Sequence, residues 1–492
     1  MGAAFGAIMA QAMGQSAGDA ATTPVTMTVA VDSPEQTIDG FGFATAWRHT
    51  PDPKNSAQMD AFFSTTKGAG LSILRNRIPF KERDNPFDSL VGLAPYRFSP
   101  VDLSTVGGGE VAYKNFSLNW GCWDLGFTRG LIAAIKAKRP DYQVTTIFST
   151  PWSPPNDATS RWKLPSEGEK LDYEKSPEVG GYLDPAHYQD YADVLADYVL
   201  QFNDPAKGNM GLPLTALSLQ NEPNFRCRYD SADWSAQQFH DFIGVLKTEF
   251  TNKGVFTADP DLEIMFPENN AFSERLVSPT LNDPDTASMV QIIGAHQYDA
   301  GPWNMGHDSS IYAPPVFKES AAAGKKIWMT EWNTEAFGKW SEIEQTLAMG
   351  QLIAEDFTIT KANAYVYWWG TDLMEKDGTP NKELYGLAQY SRFIRPGWKM
   401  APISDSHPRP LVFTSAFVDP TGSNLAVVVV NRSKEDFAMA LSSEMGSLGA
   451  GTVVRTSATE DMAMVGSFDG GAVCPVDVPA MSIVTVAVGL RR

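Results

Sequence analysis

Short apolar runs recur along this chain, and the intervals between them carry apolar residues at three- and four-residue spacing. The runs predict strands near 38–43, 71–78, 144–149, 214–220, 262–266, 291–297, 326–331 and 364–369, and the intervals predict helices over 125–138, 188–202, 235–247 and 341–360. Asp184-Pro185 and Ser235 supply helix start signals for the second and third of these. Eight buried-type strands separated by amphipathic helices are what a closed parallel barrel requires, so the expected fold class is α/β, a (β/α)8 TIM barrel.

After Pro396-Gly397 the period changes. From about Pro410 apolar and polar residues alternate in short runs, at 411–417, 424–430 and 482–488, separated by Gly, Ser, Asn and Asp. That alternation predicts an antiparallel β-sandwich beside the barrel. The run at 25–31 is also strand-like and is placed to join it. The expected organisation is a secretory leader remnant at 1–23, an N-terminal sandwich strand within 24–35, a catalytic barrel over 36–398 and the side sandwich over 399–492. Two long loops, about 81–119 and 154–181, are expected to shape access to the barrel mouth.

Two of the predicted strands run into glutamate. Leu217-Ser218-Leu219-Gln220 leads to Asn221-Glu222-Pro223, and Ile327-Trp328-Met329-Thr330 leads to Glu331-Trp332. Strand C-termini of a parallel barrel line one mouth, so carboxylates far apart in sequence meet across a cleft. Cleaving a sugar acetal needs such a pair: a carboxylic acid protonates the leaving oxygen while an ionised carboxylate attacks or stabilises the oxocarbenium-like centre from the other face. Pro223 predicts extended backbone at Glu222, aiming its side chain into the mouth. Asn221 brings an amide suited to a sugar hydroxyl. Asn-Glu-Pro alone is also an ordinary strand-to-loop turn; the second strand-end glutamate is what points to glycosidase chemistry.

A net charge of −19 and a pI near 4.8 argue against nucleic acid or anionic membranes as partners. The 13 Trp, 15 Tyr and 27 Phe, several of the tryptophans in loops, suit stacking on sugar faces. Cys122, Cys227 and Cys474 have no paired spacing, and histidines at 49, 187, 240, 296, 307 and 407 form no ligand pattern, so neither a disulfide framework, a catalytic metal nor a cofactor is expected. The Ala-, Gly- and Met-rich first 21 residues, which include Ala-Gln-Ala, predict an exported protein, secreted or periplasmic. No downstream apolar run is long enough to span a membrane. A monomer acting on a polysaccharide or oligosaccharide is expected.

Several segments together resemble glycoside hydrolase family 30. They are Gln36-Thr37-Ile38-Asp39-Gly40-Phe41-Gly42, Ile73-Leu74-Arg75, Ser149-Thr150-Pro151-Trp152-Ser153-Pro154-Pro155, Asn221-Glu222-Pro223, His296-Gln297-Tyr298, Trp328-Met329-Thr330-Glu331, Phe393-Ile394-Arg395-Pro396-Gly397 and the closing Pro479-Ala480-Met481-Ser482-Ile483-Val484-Thr485. The resemblance covers nearly the whole chain. It implies a retaining enzyme with Glu222 as general acid/base and Glu331 as nucleophile on strands four and seven. It also implies that His296 and Tyr298 bond the nucleophile or the sugar, and that Trp152 and Trp368 wall the cleavage point. Trp369 and Trp332 compete for that last role, and Trp47 is a candidate for a neighbouring subsite. Arg75 is placed to keep Glu331 ionised. Glu222 is expected to have a raised pKa while Glu331 stays charged.

Gly180-Gly181-Tyr182-Leu183-Asp184-Pro185 and Tyr188-Gln189-Asp190-Tyr191-Ala192 look most like the family's xylan-cleaving members. Members specialised for glucuronoxylan place an arginine after the eighth strand; here Trp368-Trp369-Gly370-Thr371-Asp372-Leu373-Met374-Glu375-Lys376-Asp377 offers acids where a base is expected. The expected substrate is therefore β-1,4-xylan or xylo-oligosaccharides without dependence on glucuronic acid branches. The alternatives are a β-1,6-glucanase, or a β-1,6-galactanase, β-xylosidase or β-glucosidase of the same family, and, from another class, a non-catalytic carbohydrate-binding protein.

Overall fold

The computed structural model describes residues 24–47, 50–78, 123–156, 161–173, 176, 178–206, 211–306 and 312–491. The leader remnant, the long loop at 81–119, parts of the loop at 154–181, Cys122, His49 and His307 lie outside the described residues.

All eight predicted strands form and close on one another in sequence order. They are Gly40–Ala44, Ile73–Ile78, Thr146–Pro151, Ala216–Ser218, Glu263–Asn269, Ile292–His296, Lys326–Glu331 and Ala364–Trp369, each parallel to its neighbours. They are called strands one to eight below. Strand one approaches strand two closely because Gly42 has no side chain: a Cβ there would lie 2.3 Å from the Ile73 carbonyl oxygen. The predicted helices are present as Trp123–Ala137, Tyr188–Asn203, Ala236–Asn252 and Glu342–Glu355. Ser235 caps the third through a reciprocal box with Gln238, satisfying two backbone donors that the helix cannot. The fourth widens into a π-helical turn, Asp356–Thr360, where one continuous α-helix was expected.

The barrel interior explains why its mouth carries polar groups. Ile73, Phe148, Ala216, Met265, Ile292, Trp328, Ala364 and Val366 form one buried cluster inside the barrel. Strand side chains alternate in direction, so the residue two positions further on points inward again, one layer nearer the mouth. That layer contains Arg75, Thr150, Ser218 and Trp368. The sequence therefore fills the bottom of the barrel with hydrocarbon and places hydrogen-bonding and charged groups directly above it.

Beside the barrel lie two sheets. Ile403–Asp405, Val25–Val29, Phe437–Ser443 and Cys474–Val478 form one, and Lys399–Ala401, Val412–Val418, Asn424–Asn431, Ser482–Leu490, Leu448–Ser457 and Ala463–Phe468 the other. Their facing side chains, Val25, Met27, Val29, Val427, Val429, Val484 and Val486 among them, make a separate buried core. The N-terminal strand joins the sandwich, pairing antiparallel with Ile403–Asp405 but parallel with Phe437–Ser443. Among the described residues no helix is long and apolar enough to cross a membrane.

Candidate active site

Three barrel strands are irregular at their C-terminal ends. Register shifts fall between Pro267 and Asn269, Met329 and Glu331, and Tyr367 and Trp369. Such bulges re-aim the side chains beside them, and here they occur at Glu268, Glu331 and Trp368. Three non-glycine residues at the mouth also take left-handed backbone, Trp47 with φ 55°, Glu222 with φ 47° and Glu268 with φ 57°. The extended conformation expected at Glu222 is thus corrected. Its N–H donates to the Glu268 carbonyl at 3.0 Å and its own carbonyl accepts from Phe225 N–H at 3.0 Å, and this turn outweighs the steric preference that Pro223 imposes.

The structure brings Glu222, Glu331, Arg75, Asn221, His296 and Tyr298 into one buried group. Arg75, fully buried, donates through Nη1 to Glu331 Oε2 and through Nη2 to Asn221 Oδ1 at 2.6 Å. Tyr298 Oη donates to Glu331 Oε1 at 2.9 Å. His296 Nδ1 lies 3.2 Å from Glu222 Oε1, and its Nε2 lies 3.6 Å from Glu331 Oε2. Glu222 receives two further bonds, from Tyr229 Oη at 2.6 Å and from Asn270 Nδ2 at 2.5 Å.

Tyr229, Asn270 and a third glutamate, Glu268, are site residues that sequence reasoning missed. Glu268 is fully buried and accepts from Ser218 Oγ at 2.5 Å and Thr150 Oγ1 at 2.9 Å. Its other oxygen lies 3.2 Å from Arg75 Nη2 and 3.7 Å from His296 Nε2. The group thus sets three carboxylates against one guanidinium and one imidazole.

That arrangement reverses the expected order of the two acids. Burial pushes the Glu222 carboxyl up, but the His296, Tyr229 and Asn270 bonds together outweigh it and hold Glu222 below the usual carboxylate range. Burial dominates at Glu331, with Glu222 adding to it, and the carboxyl stays raised despite the His296 and Arg75 charges. Burial opposes charge on His296, yet Glu331, Glu222 and Glu268 raise it to about 9. A His296 raised to about 9 holds its proton at neutral pH, next to Glu222. The expectation of a raised Glu222 failed because it left out these bonds to Glu222.

Glu222, His296 and Glu331 each offer an atom within 4.8 Å of one another. Such a set resembles a cation site, but the Arg75 guanidinium already lies against Glu331 and 3.5 Å from His296 Nε2. A fixed positive charge inside the cluster repels a metal ion and supplies the charge balance that a metal would bring.

Aromatic rings wall the group. The Arg75 guanidinium carbon lies 4.7 Å from the Trp152 ring centre and 5.6 Å from that of Trp368. Trp368 follows the inward alternation of Ala364 and Val366, whereas Trp369 stacks behind it at 4.8 Å. Trp332 does not join them: its indole N–H donates to Ala300 O and its ring packs on Phe337. Trp47 meets Trp152 edge-on at 5.0 Å and lies under Arg77. Gln220 Nε2 bonds the Trp152 carbonyl at 2.6 Å while its Oε1 accepts from Trp234, which ties this wall to the end of strand four.

A (β/α)8 barrel with a side β-sandwich and a buried pair of glutamates at its mouth is the class of protein that fold and site define. No family model matches the chain. Glucuronoxylanase XynC of Bacillus subtilis strain 168 is 29% identical over 298 residues, spanning 58% of this chain and 60% of that relative's length. The glycoside hydrolase family 30 subfamily 8 xylanase Xyn30A from Clostridium acetobutylicum superposes with a TM-score of 0.69 at 25% identity, covering 94% of this chain and 100% of that one. A family 30 endoxylanase from Clostridium papyrosolvens C71 shares the fold, with a TM-score of 0.68 and 23% identity over 94% of this chain and 100% of the other. The chain is similar to glycoside hydrolase family 30, and to xylan-cleaving proteins within it, in both sequence and fold.

Proposed function

We propose that this protein is an exported, monomeric, retaining β-glycoside hydrolase that cleaves β-1,4-xylan or xylo-oligosaccharides by double displacement. The observation that carries the reading is the approach of Glu222 and Glu331, whose oxygens come within 4.8 Å. So close an approach of carboxylate oxygens supports a retaining pair, whose carboxyl groups stand roughly 5–5.5 Å apart, over an inverting pair held roughly 6.5–9.5 Å apart by an intervening water.

In this reading Glu331 attacks the anomeric carbon, with Arg75 and Tyr298 fixing its two oxygens. Glu222 protonates the departing oxygen, drawing its proton from His296 across the 3.2 Å contact. Formation of the glycosyl-enzyme removes the Glu331 charge, so Glu222 can then take a proton from the incoming water. Asn221 spends its carbonyl on Arg75, which leaves its amide donors for a sugar hydroxyl. Trp152 and Trp368 stack against the sugar, and Trp47 extends that wall toward a neighbouring subsite.

The xylan assignment is supported by the relatives named above. The loop after strand eight carries Asp372, Glu375 and Asp377 against a single Lys376 and no arginine, which favours unbranched chain over a glucuronic acid branch. The test is incubation of the purified protein with unbranched xylan, glucuronoxylan, β-1,6-glucan, β-1,6-galactan and β-1,4-glucan, with products resolved by size. Xylo-oligosaccharides from unbranched xylan are expected. Products only from a β-1,6-linked glycan overturn the substrate, and silence across the panel with retained oligosaccharide binding favours the binding-protein alternative.

A further inference from the structure

A third glutamate sits behind the catalytic pair with no part in the two-carboxylate mechanism. Glu268 is reached through a bulge at the end of strand five and held in left-handed backbone. Space for it is left by Gly294 on strand six, where a Cβ would come within 2.9 Å of Glu268 Cγ. Two hydroxyls, from Ser218 on strand four and Thr150 on strand three, fix its Oε2. This is a built pocket for a buried negative charge, since an unpaired carboxylate there would otherwise be strongly disfavoured.

The other oxygen of Glu268 faces the charged groups of the site. Arg75 from strand two lies 3.2 Å away and His296 from strand six 3.7 Å away. His296 in turn faces Glu222 at the end of strand four and Glu331 at the end of strand seven. Nδ1 thus faces Glu222, while Nε2 faces Glu331 and Glu268 as well as the Arg75 guanidinium at 3.5 Å; three carboxylates around the ring favour an imidazolium despite that one opposing charge. With Arg75 committed to Glu331 and Asn221, Glu268 supplies the additional negative charge that favours a second cation.

We infer that Glu268 is a positioning residue of the reaction: its buried carboxylate keeps His296 an imidazolium aimed at Glu222, so that the acid/base glutamate is resupplied with its proton from behind the cleft wall. The inference rests on the double-displacement reading above. The direction of the His296 shift, to about 9 with Glu268 among its causes, agrees with the geometry, and Glu268 itself is held down to about 2, burial being outweighed by Arg75, His296 and Ser218.

The test is Glu268→Gln, which keeps shape and an acceptor for the two hydroxyls but removes the charge. His296 is followed by NMR titration of histidine-labelled protein, its signal identified with His296→Asn, and the pH profile of kcat/KM is measured on xylotriose and on an aryl β-xyloside. Expected are a fall in the His296 pKa of about one unit or more, the same downward move of the alkaline limb, and a kcat loss of about tenfold on xylotriose exceeding that on the activated aryl substrate. A purely structural role would lower activity at every pH with the limb and the His296 titration unmoved, and that outcome overturns the inference. Should Glu268→Gln fail to fold, Glu268→Asp keeps the charge but withdraws it from His296; a smaller shift of the same sign supports the inference and no shift refutes it. The NMR readout needs no turnover, so an inactive wild-type protein would sink the proposed function while leaving this titration to be judged separately.

Discussion

Tyr229→Phe isolates one of the bonds that set the acid/base residue. Its hydroxyl donates to Glu222 Oε2 at 2.6 Å, and the ring is packed against the aromatic wall, so removing one oxygen leaves the packing in place. A hydrogen bond to a buried charged group contributes roughly 1.5–3 kcal/mol, equivalent to about 1–2 pKa units. Tyr229 is half-buried, and water replaces part of the lost bond, so the lower end applies. The sign follows from which form is stabilised: the hydroxyl favours ionised Glu222, so its loss makes the carboxyl hold a proton more tightly. The Glu222 and His296 pair shares one proton across 3.2 Å and titrates as a unit. The alkaline limb of kcat/KM on xylotriose should therefore move up by about one pH unit. The acid limb, which reports Glu331, should stay within a few tenths. An alkaline limb that stays put, or that moves down, refutes the assignment of that limb to this pair.

Three further outcomes follow from the same geometry. Glu222→Ala should slow xylotriose by at least about a hundredfold but an aryl β-xyloside with a good leaving group far less, because that group departs without protonation; equal losses in steady-state kinetics would remove the acid/base role. Arg75→Met should lower stability in urea melts at pH 7 by about 3–5 kcal/mol, since it strands two buried carboxylates. The deficit should shrink as the pH falls, because Glu331, raised above its ordinary value by burial, takes up a proton at higher pH than an ordinary carboxylate; a deficit that grows on acidification contradicts the pairing. Initial rates on glucuronoxylan should not exceed those on unbranched xylan, and a preference for the branched chain would show that a cation recognises the acid despite Asp372, Glu375 and Asp377 in the loop after strand eight.

What the sequence revealed followed the periodicities it carries. The barrel strands were legible because each is a short apolar run between amphipathic helices, and Glu222 and Glu331 stood out because those runs end on them. Trp368 could not be separated from Trp369 until the inward row of Ala364 and Val366 was traced to the mouth. Glu268 was invisible for a physical reason: Pro267 reads as the end of strand five, and the bulge that follows turns the next side chain back into the site. Tyr229 and Asn270 lie in loops, where no period indicates direction, and without their bonds to Glu222 the order of the two acids came out reversed.

The central claim is that Glu331 forms a covalent bond to the sugar. Incubation with a 2-deoxy-2-fluoro-β-xylobioside bearing a good leaving group, followed by peptide mass spectrometry, tests it directly. The account predicts one 2-deoxy-2-fluoroxylobiosyl adduct, on the peptide containing Glu331, and its absence in Glu331→Gln. An adduct on Glu222 or Glu268, or turnover of unmodified substrate with inversion at the anomeric carbon, would contradict it.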